Sequence, residues 1–484
     1  MKDSITKMAS VAFLGGLVGR ALRYSLNVII ARGLGTDALG LFAFGMIVMK
    51  ASGIPARLGL DNAAQKYIPI YQRDDDHSKI AGVALTAVVA PLVVGTAIAG
   101  VLYIGANQYA SVLDADFGPT TQLFLVGIPL FSVMMVGMSV TRSFKETKYS
   151  VYVREFGQSG TAVVLVAVGA FVLNDVRAVI AGYLASLLVG SALAVYYIVD
   201  LGAIRRHVSP AFETKKIFTY SLPVVAVAVT QYFISWTDIL MLGAFVSPSK
   251  VGWYQAAFQT SVLLAVVLQA VNTIFPTLAA DFYHDGQHER LERTYTVVTK
   301  WVAYLTVLGF LFLVVYDDEI LSIFGAATPA ATTTLLILGF GQMFKAAIGP
   351  AGFFLSMSEY ERLEAVNTTL VCLVNVGLNF VLIGEYGIVG AAMATGTSLA
   401  LLNVLRVGEV YYLLDIHPYS LGYWKGGVAV ACATVVMLVG RELAIFDVGK
   451  VLVVGTLSLG TFVALMGLLG VDDADRTLLE SISD

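Results

Sequence analysis

The sequence predicts an all-α polytopic membrane protein with about fourteen transmembrane helices. Of its 484 residues, 57% are hydrophobic and only 13% are charged, and the mean hydropathy is +0.79, outside the range of soluble domains. The apolar residues gather into windows of roughly 20, the helix length that crosses a hydrocarbon layer of about 30 Å. Lysine and arginine are shared unequally between alternate loops. Lipid offers backbone N–H and C=O groups no partners, so each window must be helical.

In chain order the windows fall at Met8–Ile30, Leu39–Gly59, Ile80–Ile104, Thr121–Val140, Val151–Val172, Ala178–Val199 and Ile217–Phe245. They continue at Val251–Ala280, Trp301–Val315, Thr332–Leu355, Ala365–Leu382, Ile388–Leu414, Leu421–Val439 and Val451–Leu469. The first follows Lys2 and Lys7, yet it is long, contains Arg20 and Arg23 and lacks a small-residue cleavage site. It reads as a retained span rather than a signal peptide.

With the N-terminus inside, nineteen Lys and Arg residues fall on cytoplasmic segments, among them Lys66, Lys79, Arg142, Lys148, Arg205, Lys216, Arg290 and Arg362. Five fall on the opposite face: Arg32, Arg177, Lys250, Arg441 and Lys450. Cytoplasmic loops retain positive charge, so a multi-pass protein of the plasma membrane with both termini cytoplasmic is expected. The net charge of −4 reflects acidic runs such as Asp74–Asp76 and Asp472–Asp475, solvated loop or tail residues that would suit a salt-rich habitat. Cys372 and Cys432 lie inside apolar windows, which leaves no disulfide framework and no zinc-type spacing.

Two stretches recur at nearly one offset. The hairpin Leu34–Phe42 is matched 212 positions later by Phe245–Tyr254, each ending in Gly-x-aromatic, and Ala178–Ala185 is matched 209 positions later by Gly387–Ala394. Both members of the second pair open spans rich in the small residues that let helices approach closely in lipid. The repeat unit is six spans, an even number that preserves orientation. Two six-helix repeats are therefore expected around a central cavity, related by a pseudo-two-fold axis along the membrane normal. This divides the chain into an N-terminal lobe (1–210), a C-terminal lobe (211–416) and an added helix pair with a short cytoplasmic tail (417–484).

The opening Asn27–Gly35, running through Leu39–Phe42 to Ala56–Asp61, resembles that of Wzx-type polysaccharide flippases. The second half agrees in Asp238–Gly243, Val251–Ala256, and Asn379 ahead of Tyr386–Ala392. These are loose motifs of small and apolar residues whose specificity rests on order and spacing over the whole chain. The resemblance implies the multidrug/oligosaccharidyl-lipid/polysaccharide exporter superfamily. Its Wzx-like members flip polyprenyl-linked sugars by alternating access, loading on the cytoplasmic side.

Six basic residues fall within spans: Arg20, Arg23, Lys50, Arg57, Lys345 and Arg406. Charges in lipid cost several kcal/mol, so these should face a cavity, a partner or the interface. Arg20, Arg23 and Asn27 share one stripe of the first helix, with Lys50 at comparable depth on the second. Guanidinium and ammonium groups suit a phosphate or pyrophosphate, which makes Arg20, Arg23, Lys50 and Lys345 the candidate headgroup-binding residues. Structural ion pairing is the competing explanation for all four. Arg57 and Arg406 are expected to snorkel to the cytoplasmic interface, Arg406 beside Glu409 at i+3. Arg154 and Glu155 read as a surface or gate pair.

Asp238 is the clearest internal acid, and it either binds a coupling cation, sodium or a proton, or neutralises Arg20 or Arg23. Candidate sugar contacts are Asn27 and the i, i+4 pairs Gln255/Gln259 and Asn375/Asn379, although amides in spans commonly bond helix to helix instead. No other cofactor and no metal is called for. The expected partners are a lipid-linked oligosaccharide, membrane lipids and glycan-assembly enzymes, with no nucleic acid. Asp114-Ala115-Asp116 spells the D-x-D of a metal-dependent glycosyltransferase, but its loop is short and no catalytic domain accompanies it. His284 and His288 lack a third ligand, and no phosphate-cradling loop argues for an ATPase. The closer rival is a cation-coupled multidrug exporter, which should prefer acids to an interior that is net basic.

Overall fold

The computed structural model describes residues 2–105, 117–205, 207–284, 286–357, 360–419, 421–442 and 447–469. The D-x-D at Asp114–Asp116 and the acidic run Asp472–Asp475 lie outside the described residues, as do the side chains of His284 and His288. All regular structure within them is helical. The chain is an all-α polytopic membrane protein.

Seven helices among the described residues are each long and apolar enough to cross a bilayer, or ten when each bent pair is counted as one span. The expected count of about fourteen is compatible with this. The stretch α1 (Lys2–Ala56) covers two predicted windows, two helices joined at a kink where Gly35, at φ 87° and ψ 176°, departs from helical geometry. That conformation is open to glycine and strained for other residues, so the sequence places the turn there. Long lipid-facing stretches leave large apolar residues open: Val93, Val101 and Ile104 on α3 (His77–Ile104) are 60%, 70% and 81% exposed. In water such a surface would drive association, whereas here it meets acyl chains.

The described chain forms two compact units, Met1–Gln255 and Ala256–Asp484. In the first, α3 packs on α5 (Gly127–Ser143), which also meets α2 (Leu60–Arg73) and α8 (Val176–Asp200). Helix α4 (Phe117–Leu125) precedes α5 at a 44° bend, and α6 (Thr147–Val151) continues through a π-helical segment, Tyr152–Gly160, into α7 (Thr161–Phe171). Helix α1 crosses α7, the π-helical segment and α9 (Thr214–Phe245).

The two hairpins related by 212 residues meet within this unit. A Cβ on Gly40 would stand 1.9 Å from the Pro248 carbonyl, and one on Gly252 would stand 2.0 Å from the Thr36 carbonyl. Asp37 bonds the hydroxyl of Ser249, its own counterpart in the repeat. Contacts that return on themselves under one offset are the geometry of a local two-fold, and only glycine at both crossings permits the approach.

The second unit holds the end of α10 (Pro248–Leu263), α11 (Val266–His284), α12 (His288–Val315), α13 (Asp317–Ser322), α14 (Pro329–Ala347) and α15 (Ala351–Met357). It continues with α16 (Glu361–Tyr386), α17 (Ile388–Leu414), α18 (Trp424–Gly440) and α19 (Asp447–Leu469). The antiparallel hairpin α16/α17 packs on α14, and α18 and α19 pair with each other. Its turn sits at Gly387, and Gly390 lies so close to Leu382 that a Cβ would fall 2.0 Å from that carbonyl.

Candidate functional site

The stripe on α1 leads to a buried electrostatic cluster in the first unit. Arg23 Nη1 donates to Glu155 Oε2 at 2.7 Å, and Arg154 Nε lies 3.8 Å from Glu155 Oε1. The Glu155 side chain is 8% exposed, whereas those of Arg23 and Arg154 are 36% and 51% exposed, so the carboxylate is enclosed while both guanidiniums keep an open edge. Lys50 is half-buried within electrostatic range of Arg154 and Arg23, and has no hydrogen-bond or ion-pair partner among the described residues. Two guanidiniums therefore flank one carboxylate, with Lys50 within electrostatic range of both guanidiniums. Arg20 is half-buried one turn before Arg23 and has contacts of its own.

Local backbone explains how Glu155 reaches α1. It belongs to the π-helical segment, whose wider turn shifts side chains out of α-helical register, a feature recurrent at functional sites. The facing residue is Gly19, where a Cβ would stand 1.6 Å from Glu155 Oε2. Any side chain at position 19 would evict the carboxylate. On the same segment Gln158 Nε2 donates to Ser186 Oγ at 3.2 Å, fixing the segment to α8.

The predicted sugar-contacting amides are largely engaged with one another. Gln255 Nε2 donates to Asn27 Oδ1 at 3.2 Å, and Asn27 Nδ2 donates to the Arg23 carbonyl at 2.7 Å, both side chains being buried. Asn379 Nδ2 donates to the carbonyl and Oδ1 of Asn375, each at 3.0 Å. Gln255 Oε1 and Asn379 Oδ1 are buried acceptors without a donor among the described residues, and Gln259, one turn beyond Gln255, is half-buried. Asp238 is buried on α9 and accepts from Tyr254 Oη at 2.5 Å, while Arg23 takes Glu155 as its counter-ion.

In the second unit Lys345 is half-buried on α14, within electrostatic range of Arg406. Arg406 does not pair with Glu409. Its side chain is 19% exposed and pairs with Glu364 of α16, Nε donating to Oε1 at 3.2 Å and Oε2 at 3.1 Å, with a further bond from Nη2. Glu409 instead accepts from Asn367 Nδ2 at 2.6 Å. The antiparallel hairpin sets positions 364 and 367 against 406 and 409, so the two acids exchange the partners that spacing along α17 suggested. Arg57 is bonded to Asp61 Oδ2 at 3.1 Å across the turn that joins α1 to α2.

Glu155 is the residue that reasoning from the sequence misplaced. Its signal was present, a carboxylate inside an apolar window, but the adjacent Arg154 offered a local partner. The π-helical register and the gap at Gly19 are tertiary facts.

Comparison with known proteins places this geometry. The family model described as "Polysaccharide biosynthesis protein" matches residues 5–280, more than half of the chain. The chain belongs to this family. The model described as MatE matches residues 223–381. Among curated proteins, this polysaccharide biosynthesis family member is 26% identical over 421 residues to the "Probable low-salt glycan biosynthesis flippase Agl15" of Haloferax volcanii, covering 86% of this chain and 84% of the relative. It is 27% identical over 182 residues to the "Probable flippase AglR" of the same organism, covering 36% and 37% of the two chains.

Among solved structures it matches the lipid II flippase MurJ in an inward closed conformation, with TM-score 0.69, 13% identity and coverage of 95% and 98%. A multidrug resistance MATE transporter in an inward-facing conformation matches with TM-score 0.66, 16% identity and coverage of 86% and 95%. At such identities the structural likenesses establish the fold alone. Fold and family together place the chain in the superfamily that the sequence motifs resemble.

Proposed function

We propose that this protein is a flippase. It carries a sugar linked to a polyprenyl or dolichyl chain through phosphate or pyrophosphate from the cytoplasmic to the outer leaflet by alternating access. It would thereby serve assembly of cell-surface polysaccharide or glycoprotein. The observation that carries this reading is the pair of guanidiniums, Arg23 and Arg154, on the carboxylate of Glu155, with Lys50 within electrostatic range of both. Basic groups that outnumber the carboxylate beside them in a partly enclosed site suit a visiting anion, and a phosphate headgroup is such an anion. The flippase names of the curated relatives support the same reading.

The role is transport rather than catalysis. The loop-charge asymmetry favours a plasma-membrane location with both termini cytoplasmic. A lipid-linked oligosaccharide is the substrate, membrane lipids surround the protein, and enzymes that assemble the glycan are its expected neighbours. Asp238, bonded to Tyr254, is the candidate for a coupling sodium ion or proton. The MATE fold alone does not favour the multidrug reading, because a site for cationic drugs calls for an excess of acid.

Reconstitution with a polyprenyl- or dolichyl-phosphate-linked sugar, scoring which leaflet exposes the sugar, tests the proposal. Protein-dependent appearance in the opposite leaflet is expected. Absence of transfer for both phosphate- and pyrophosphate-linked lipids would overturn it.

A further inference from the structure

We infer that Glu155 is a resident counter-ion that competes with the transported headgroup for Arg23, so that an arriving anion releases α1 from the π-helical segment. This rests on the flippase reading and names how the same site is regulated.

Three observations meet here. Arg23 is satisfied by Glu155 on one side only, and its 36% exposed side chain leaves donors of the guanidinium fork free to take a second oxygen ligand. Lys50, within electrostatic range and without a partner among the described residues, is a second cation for the same anion. Glycines of α1 make room where the pair forms. Gly15 and Gly19, one turn apart on α1, face Val151 and Glu155, one turn apart on the neighbouring helix, with a Gly15 Cβ only 2.4 Å from Val151 Cγ1.

The Glu155 carboxylate thus lies in a groove that glycine opens, and it bridges the two helices. An anion bound by Arg23 and Lys50 would stand beside that carboxylate. Like charges at such separations repel strongly in a partly desolvated site. Glu155 must then turn away from Arg23, and the ion pair it makes between α1 and the π-helical segment is lost. A carboxylate with this role discriminates as well as gates, because a weakly charged lipid does not displace it.

The test measures binding of inorganic pyrophosphate and of a short-chain prenyl pyrophosphate to the full-length protein in lipid nanodiscs, with ligand-dependent thermal stabilisation as a second readout. Glu155→Gln removes the competitor while keeping the side chain's shape, and Kd is expected to fall by about tenfold or more. Glu155→Asp keeps the charge but shortens its reach to Arg23, and a smaller tightening is expected, which carries the test if the glutamine variant does not fold. A merely structural ion pair predicts unchanged or weaker binding in both variants, and that result would overturn the inference. Arg23→Gln separates the two levels of the argument. If it abolishes binding while the Glu155 variants do not tighten it, the competition fails and the headgroup site stands. If Arg23→Gln and Lys50→Gln both bind as the native protein does, the headgroup reading fails and takes the competition with it.

Discussion

In the first unit Arg23 and Arg154 share one carboxylate with Lys50 within electrostatic range of both, whereas in the second Arg406 is matched by Glu364, and Glu409 by Asn367. Both arrangements put charge inside a lipid-embedded bundle, and they solve the cost differently. A matched pair needs nothing further. Its geometry is closed, and its role is to hold the α16/α17 hairpin together. A cluster with open guanidinium edges leaves room for an anion, and under the proposed function the first unit is where the headgroup would be recognised. Lys345 is the point where the distinction is least sharp, because it lies near the matched pair and yet has no partner of its own among the described residues.

The largest expected effect breaks the comparison at its centre. Arg23→Gln and Lys50→Gln should each lower the flipping rate by at least about tenfold, the scale expected for losing a charge-assisted contact to a phosphate. Lys345→Gln should lower it by less than about threefold. Equal losses at all three positions, scored by leaflet exposure of a reconstituted lipid-linked sugar, would show that both units bind the headgroup.

Next in size is the matched pair. Arg406→Gln leaves Glu364 enclosed without its counter-ion, and a loss of about 3 kcal/mol in stability is expected, as for other broken buried pairs. Thermal unfolding in detergent measures it, and the double change Arg406→Leu with Glu364→Leu should recover most of the loss. The same double strategy applied to Arg23 and Glu155 should restore folding but not flipping.

The amide bridge between Asn27 and Gln255 is a smaller term. A double-mutant cycle with Asn27→Leu and Gln255→Leu should give a coupling of about 1 kcal/mol, typical of interhelical hydrogen bonds in bilayers. A coupling near zero combined with lost flipping would instead return these amides to the role of sugar contacts.

The smallest effect lies where first-unit carboxylates meet cations in water. Glu213 is held below the usual carboxylate range, first by the Tyr71 hydroxyl bonded to it and then by Lys216. Asp76 is lowered mainly by the backbone N–H of Lys79, whose nitrogen lies 3.0 Å from Oδ1, and then by that residue's ammonium. Groups with a depressed value in the folded state contribute stability above their unfolded pKa of about 4 and lose it as pH falls through the folded value. Thermal stability should therefore decline slightly below about pH 4, and Glu213→Gln should flatten that slope. Exposed pairs are screened, so the change is a fraction of that seen for Arg406.

Much of this was legible in the sequence. Window length located the helices, because the bilayer fixes how many apolar residues a span needs, and Gly35 marked the turn between the first two. The matching hairpins at 36–40 and 248–252 announced a repeat whose glycines prove to cross each other. The stripe of Arg20, Arg23 and Asn27 was visible because helical periodicity is local. Partner choice was not. Spacing along α17 offered Glu409 to Arg406, and only the antiparallel neighbour revealed Glu364. The adjacent Arg154 drew attention away from the longer-range pairing of Glu155 with Arg23.

The sequence by itself determined that the chain is a many-span helical membrane protein with duplicated hairpins and cations set within its spans. Hydropathy and helical period are properties of neighbouring residues and need no knowledge of the fold. Only the tertiary structure decided which cations take a carboxylate partner and from which helix. That depends on which helices lie side by side, on a π-helical turn that redirects Glu155, and on a glycine that makes room for its carboxylate.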